Sequence, residues 1–159
     1  MEIHNRLLLR QISEKDLPFL RLLYGSTREE EMALVDWTEK QKKDFLDMQF
    51  TAQHHHYKQN FNNASFDIIE LAGEAVGRLY LDRRDDEIRI VDIALFPAHR
   101  GKGIGSHYLD KIMSEAKRKK IAVRIHVENF NPALRFYQNL GFRQTDTNGV
   151  YHLLEWFSG

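Results

Sequence analysis

Ile88-Arg89-Ile90-Val91-Asp92-Ile93-Ala94-Leu95-Phe96-Pro97-Ala98-His99-Arg100-Gly101-Lys102-Gly103-Ile104-Gly105-Ser106 joins an apolar run to a glycine-rich turn and then to an amphipathic segment. Residues 88–96 are rich in isoleucine and stop at Pro97, which predicts a buried strand ended by a residue that cannot donate to a ladder. Beyond the turn, Ile104, Tyr108, Leu109, Ile112, Met113 and Ala116 recur at helical spacing, and Lys117–Lys120 place positive charge beside the last turn's free carbonyls. Gly101, Gly103 and Gly105 clear side chains from the helix N-terminus, where unpaired N–H groups and the positive end of the dipole face outward. A turn of this kind accommodates a pyrophosphate.

Spacing decides which phosphate loop this is. A Walker loop needs Gly-Lys followed at once by Ser or Thr, whereas Lys102 is followed by Gly103; a dinucleotide fingerprint needs Gly-x-Gly-x-x-Gly, whereas these glycines alternate. The pattern Arg-x-x-Gly-x-Gly, carried by Arg100, Gly103 and Gly105, resembles the acyl-CoA pyrophosphate loop of the GNAT superfamily of N-acyltransferases. A glycine-rich turn without a ligand is the plain alternative, and a second signature weighs against it. Asn131-Pro132-Ala133-Leu134-Arg135-Phe136-Tyr137-Gln138-Asn139-Leu140-Gly141-Phe142 opens on an N-cap residue with proline behind it and closes on a glycine suited to a left-handed C-cap, which predicts a short helix over 132–140. The same residues resemble the Asn-Pro-Ala through Tyr to Leu-Gly-Phe segment that closes the acetyl-CoA site in that superfamily. The interval between the two motifs fits one helix plus one strand.

Composition agrees with one enzyme domain spanning 1–159. The chain has 159 residues, 42% of them hydrophobic, enough for a core. Lys plus Arg and Asp plus Glu both number 23, so no basic excess argues for nucleic acid or an anionic membrane surface. The absence of cysteine excludes disulfides, thiolate catalysis and cysteine-ligated zinc. Residues 1–6 lack an apolar leader core, and no apolar span is long enough to cross a bilayer, so the expected compartment is the cytoplasm.

The remaining pattern reads as strand, helices, three strands, helix, strand, helix, two strands. Arg6–Ile12 predicts a first strand, 17–26 and 28–35 helical pieces, and Thr38 with Gln41 a capping box for a long helix to about Gln59 with Leu46, Phe50, Tyr57 and Phe61 in its stripe. Phe66–Leu71 and Ala75–Leu81 flank Gly73-Glu74 as a hairpin, and Asp85-Asp86 turns into the strand that feeds the glycine loop. Ile121–Val127, Phe142–Asp146 and Val150–Trp156 complete the strands, the last two joined through Asn148-Gly149. The fold class is α/β, and the order resembles the GNAT one: a mixed central sheet of about seven strands with flanking helices and splayed central strands.

The resemblance implies acetyl-CoA as co-substrate, its pantetheine arm in the splay against the backbone of Ile93, Ala94 and Leu95. Its pyrophosphate would lie on the amides of Arg100, Gly101, Lys102, Gly103, Ile104, Gly105 and Ser106, with the Arg100 and Lys102 side chains free to add contacts. Asn131, Ala133 and Tyr137 complete the implied cofactor set, Asn131 also serving as N-cap. Transfer from a thioester to an amine needs a neutral amine, a polarised carbonyl and a proton for the departing thiolate. Tyr137 occupies the tyrosine position of the resemblance and is the candidate acid, a packing role being its alternative; a backbone N–H near Leu95 would polarise the carbonyl.

For the amine's proton, Asp92, His126 and ordered water are the candidates. Asp92 interrupts an apolar strand and so demands a partner or a function, whereas His126 falls on the strand face opposite Val123, Ile125 and Val127. His54-His55-His56 is rejected as a metal site, because consecutive helical side chains point about 100° apart; no metal is expected. Glu29-Glu30-Glu31 reads as a solvated helical face before it reads as a cationic-acceptor rim. The implied activity is N-acetylation of a small-molecule or peptide amine in a ternary complex, and a CoA-binding sensor or scaffold without turnover is the competing class. Dimers are common in the superfamily, so a homodimer is among the expected assemblies.

Overall fold

The computed structural model describes residues 3–128 and 131–159; Met1 and Glu2, part of the leader reading, lie outside it. Seven strands form one sheet in the order β1-β2-β3-β4-β5-β7-β6. They are β1 Leu7–Gln11, β2 Ser65–Leu71, β3 Glu74–Arg83, β4 Glu87–Leu95, β5 Ala122–Glu128, β6 Arg143–Thr147 and β7 Tyr151–Trp156. Every neighbouring pair is antiparallel except β4 and β5, which are parallel and are joined by the crossover helix α4, Ile104–Lys119.

Strand alternation sends two apolar sets to opposite faces. Leu79, Leu81, Ile88, Ile90, Val123, Ile125 and Leu154 pack with Leu109 and Ile112 of α4 and with Tyr137 of α5, Leu134–Asn139. On the other face, Ile68 meets Leu20 and Tyr24 of α1, Leu17–Ser26, and Phe50 of α3, Glu39–Asn60. Between these helices lies the short α2, Glu29–Ala33. Thr38 and Gln41 form the expected capping box: the Thr38 hydroxyl accepts from the Gln41 N–H at 3.1 Å, and the Gln41 amide oxygen accepts from the Thr38 N–H at 2.9 Å. Where a glycine is usual, Lys120 takes the left-handed conformation (φ 58°) that closes α4.

One element starts later than its local signals predict. Asn131 does not cap the helix: its side-chain oxygen accepts the Ala133 N–H at 2.8 Å and its carbonyl accepts the Leu134 N–H at 3.1 Å. That turn consumes 131–133, so Pro132 lies in it and α5 begins at Leu134.

Candidate active site

The sheet opens in its middle. The β4–β5 ladder runs from Glu87 opposite Ala122 to Ile90 opposite Ile125, while the strands continue to Leu95 and Glu128. On the other side of β4, Tyr80 pairs with Asp92 and Leu81 with Ile90, leaving Val91 as a bulge. A bulge bends and twists its strand, and here it turns residues 92–95 away from β5. Ile93, Ala94 and Leu95 therefore stay in register with β3 on one edge, and their other edge has left β5. Gly77 faces Leu95 across the ladder, and β3 approaches so closely there that a Cβ would run into the Ala94 carbonyl oxygen.

Next to this opening, a single 3-10 turn at Pro97–His99 leads into the glycine loop. Gly101 (φ 72°) and Gly103 (φ 85°) take left-handed conformations, and a Cβ on either would meet nothing within 4 Å. Glycine is required there by backbone conformation, and the space beyond is free for a ligand. The first closed helical bond of α4 runs from the His107 N–H to the Gly103 carbonyl at 3.0 Å, so the N–H groups of Ile104, Gly105 and Ser106 precede it. Arg100 departs from the expected free side chain: its Nε donates to the Leu95 carbonyl at 3.1 Å, tying loop to strand and leaving its terminal nitrogens for an anion. Lys102 is exposed. A Cβ on Gly105 would lie 3.9 Å from Phe136, which brings α5 against the start of α4.

Tyr137 is buried between Phe136 and Phe142, ring centroids 5.4 and 5.6 Å away. Burial pushes its phenol well above the ordinary value, and the nearby charge of Asp92 pushes the same way. The hydroxyl thus stays protonated at neutral pH, within electrostatic reach of Asp92. Ala133 is half-buried at the N-terminus of the same helix.

Asp92 and His126 flank the level at which the strands part, Asp92 two residues past Ile90 and His126 one past Ile125. Their surroundings differ. Asp92 Oδ2 accepts from Arg78 Nη2 at 2.6 Å and from the Tyr57 hydroxyl at 3.0 Å. His126 is exposed, and its Nδ1 lies 3.1 Å from Arg89 Nη1; because a guanidinium only donates, Nδ1 is the accepting nitrogen. Partial burial and then the Arg89 charge lower its pKa. Glu87, itself buried, gathers Arg84, Arg89 and Arg124 on the same face.

Arg78, Tyr57 and Gln53 are site residues that the sequence reading missed. The signal is present in Arg78, a charge inside the apolar run Ala75–Leu81, and in Asp92, a carboxylate in an apolar strand that demands a partner. Nothing local paired them, because the bulge that sets their register is not written in either strand. Arg28 also bridges the α1–α2 connection to Glu128 at 3.2 Å, 100 residues away. The three consecutive histidines diverge: His54 stacks on Phe50, while His56 packs against Phe61.

A sequence model described as the acetyltransferase (GNAT) family matches residues 28–142. No significant match was found among curated proteins. Among solved structures, the chain is similar to PaiA N-acetyltransferase from Thermoplasma acidophilum in complex with coenzyme A, at 20% identity and TM-score 0.71, covering 96% of this chain and 99% of that one. A GNAT family acetyltransferase from Elizabethkingia anophelis with acetyl-CoA bound follows at 18% identity and TM-score 0.61, with 97% and 99% covered. A protein from Arabidopsis thaliana in complex with the bisubstrate analogue CoA-Ac-MVNAL matches at 17% identity and TM-score 0.62, with 96% and 99% covered. At these identities the likeness to each solved structure is one of fold.

Proposed function

The chain belongs to the GNAT acetyltransferase family, and from that premise we propose that residues 1–159 form one domain that moves an acetyl group from acetyl-CoA to a primary amine by direct attack in a ternary complex. The observation that carries this reading is the opening between β4 and β5, directly beside the N-terminus of α4, whose first N–H groups precede its first closed helical bond. A pantetheine arm has the edge of β4 at Ile93–Leu95 to pair with, apart from the Leu95 carbonyl that Arg100 occupies; a pyrophosphate has the helix dipole and the amides of residues 101–106, the Arg100 N–H being spent on the Pro97 carbonyl at 3.2 Å. The similar structures that hold coenzyme A or acetyl-CoA support the choice of donor.

In this reading the amine nitrogen attacks the thioester carbonyl while a backbone N–H near Leu95 stabilises the developing oxyanion. The tetrahedral intermediate collapses, the C–S bond breaks, and Tyr137 delivers its proton to the departing thiolate. The amine gives up its proton to Asp92, directly or through water. Asp92 is preferred to His126 because its Oδ1 accepts nothing from the described residues, whereas the accepting nitrogen of His126 is occupied by Arg89. No covalent enzyme forms. The peptide in the bisubstrate analogue of the Arabidopsis protein supports including peptide N-termini among the acceptors to be tried.

The test is thiol release from acetyl-CoA across a panel of simple amines, polyamines, amino acids and short peptides. Release that depends on one class of amine is expected. Release that never exceeds the amine-free background, in protein that binds acetyl-CoA, would contradict catalysis and leave a binding module.

A further inference from the structure

Arg78 is only 3% exposed at its side chain, in the middle of a buried strand, between Val76 and Tyr80. Among the described residues a single nitrogen, Nη2, makes both of its side-chain hydrogen bonds, to Asp92 Oδ2 at 2.6 Å and to Gln53 Oε1 at 2.9 Å. Tyr57, one turn beyond Gln53 on α3, donates to the same Asp92 oxygen at 3.0 Å. Two donors thus converge on Oδ2 while Oδ1 keeps no partner among the described residues, and the Asp92 side chain remains 16% exposed. In the ladder Arg78 faces Ala94, and Asp92 faces Tyr80, so the pair is a diagonal contact beside the bulge at Val91.

Burying a guanidinium and a carboxylate together gains little stability, because desolvation offsets their attraction; well-packed apolar side chains usually do as well. An ion pair kept at this place, on the strand that borders the opening, serves orientation better than it serves stability. We propose that Arg78 is a positioning residue which, with Tyr57 and Gln53, clamps Oδ2 of Asp92 so that Oδ1 is presented to the acceptor amine. The clamp also fixes α3 to β4, so the helix that lies over this face of the sheet and the proton acceptor hold one geometry. The inference rests on the reading of Asp92 as the amine's proton acceptor.

The test compares Arg78→Met, Arg78→Lys, Tyr57→Phe, Asp92→Asn and the double variant Arg78→Met/Asp92→Asn on the best acceptor from the panel. Steady-state kcat and KM are read together with acetyl-CoA affinity and circular dichroism. A lost clamp lowers kcat for Arg78→Met by about a hundredfold and leaves acetyl-CoA affinity within about threefold, Arg78→Lys recovers part of the loss, and Tyr57→Phe falls by about fivefold. In the Asp92→Asn background, Arg78→Met adds no further loss, the sign of residues acting as one unit. If Arg78→Met does not fold, Tyr57→Phe decides: it leaves the ion pair in place, and an unchanged kcat overturns the proposal. Full activity in both Arg78→Met and Tyr57→Phe, with Asp92→Asn impaired, refutes the clamp and spares the base. Full activity in Asp92→Asn removes the base and the clamp together.

Discussion

Tyr137 and Gly77 show how single residues carry this site. A phenol that protonates the leaving thiolate acts in the transition state, while one that only packs acts equally in ground and transition states. Tyr137→Phe keeps the contacts with Phe136 and Phe142 and removes the hydroxyl alone. We expect kcat to fall by roughly tenfold to a thousandfold with little change in the KM for acetyl-CoA. Unchanged kcat with a raised KM would make Tyr137 a packing residue. Gly77→Ala acts on the backbone. Its methyl must displace the Ala94 carbonyl, which faces β3, or Leu95, and so shift the strand whose far edge is offered to the cofactor; acetyl-CoA binding should weaken along with thermal stability. A variant with unaltered affinity and melting temperature would show that β3 and β4 have slack there.

At the scale of elements, the strand, glycine loop and helix that hold the site were legible in Ile88–Ser106, because periodicity, proline and glycine each act locally. The helix of the second motif was legible in kind and misplaced at its start, since the Asn131 side chain closes its own turn before the helix begins. What stayed hidden was the bulge at Val91 and the pairing of Arg78 with Asp92, both settled by register between strands. The spacing of Tyr57 puts it in an apolar stripe, whereas its hydroxyl donates to Asp92. Helix α3 offers a prediction at this scale. Its capping box is exposed and built from two reciprocal bonds, so Thr38→Ala should lower stability by about 1 kcal/mol in chemical denaturation. A loss within error would mean that tertiary contacts alone hold the first turn.

For the whole molecule, pH sensitivity follows from carboxylates held by guanidinium and ammonium groups. The Arg10 guanidinium and then the Ser13 backbone keep Asp16 at about 2, below its ordinary 3.8, with burial opposing; Arg83, and less strongly Lys119, keep Glu115 at about 2, below 4.5, again against burial. Both groups bind protons more weakly when folded, so their contribution is complete above the unfolded values and is lost as pH falls through about 2. Asp67, raised by burial, works in the opposite sense. The melting temperature followed by circular dichroism should therefore drop between about pH 4.5 and pH 2, and Glu115→Gln should flatten that slope.

The central claim is that the N-terminus of α4 receives the pyrophosphate of acetyl-CoA, and calorimetric titration of acetyl-CoA into the parent protein, Gly103→Ala and Gly103→Glu tests it most directly. Alanine introduces the strain of a side chain at φ 85° without charge, and glutamate adds a carboxylate where the phosphates would lie. The account predicts one acetyl-CoA bound per parent chain, and an affinity for folded Gly103→Glu at least about tenfold weaker than for the parent, about 1.4 kcal/mol, with Gly103→Ala between them. Equal affinity in the parent and in folded Gly103→Glu would contradict it.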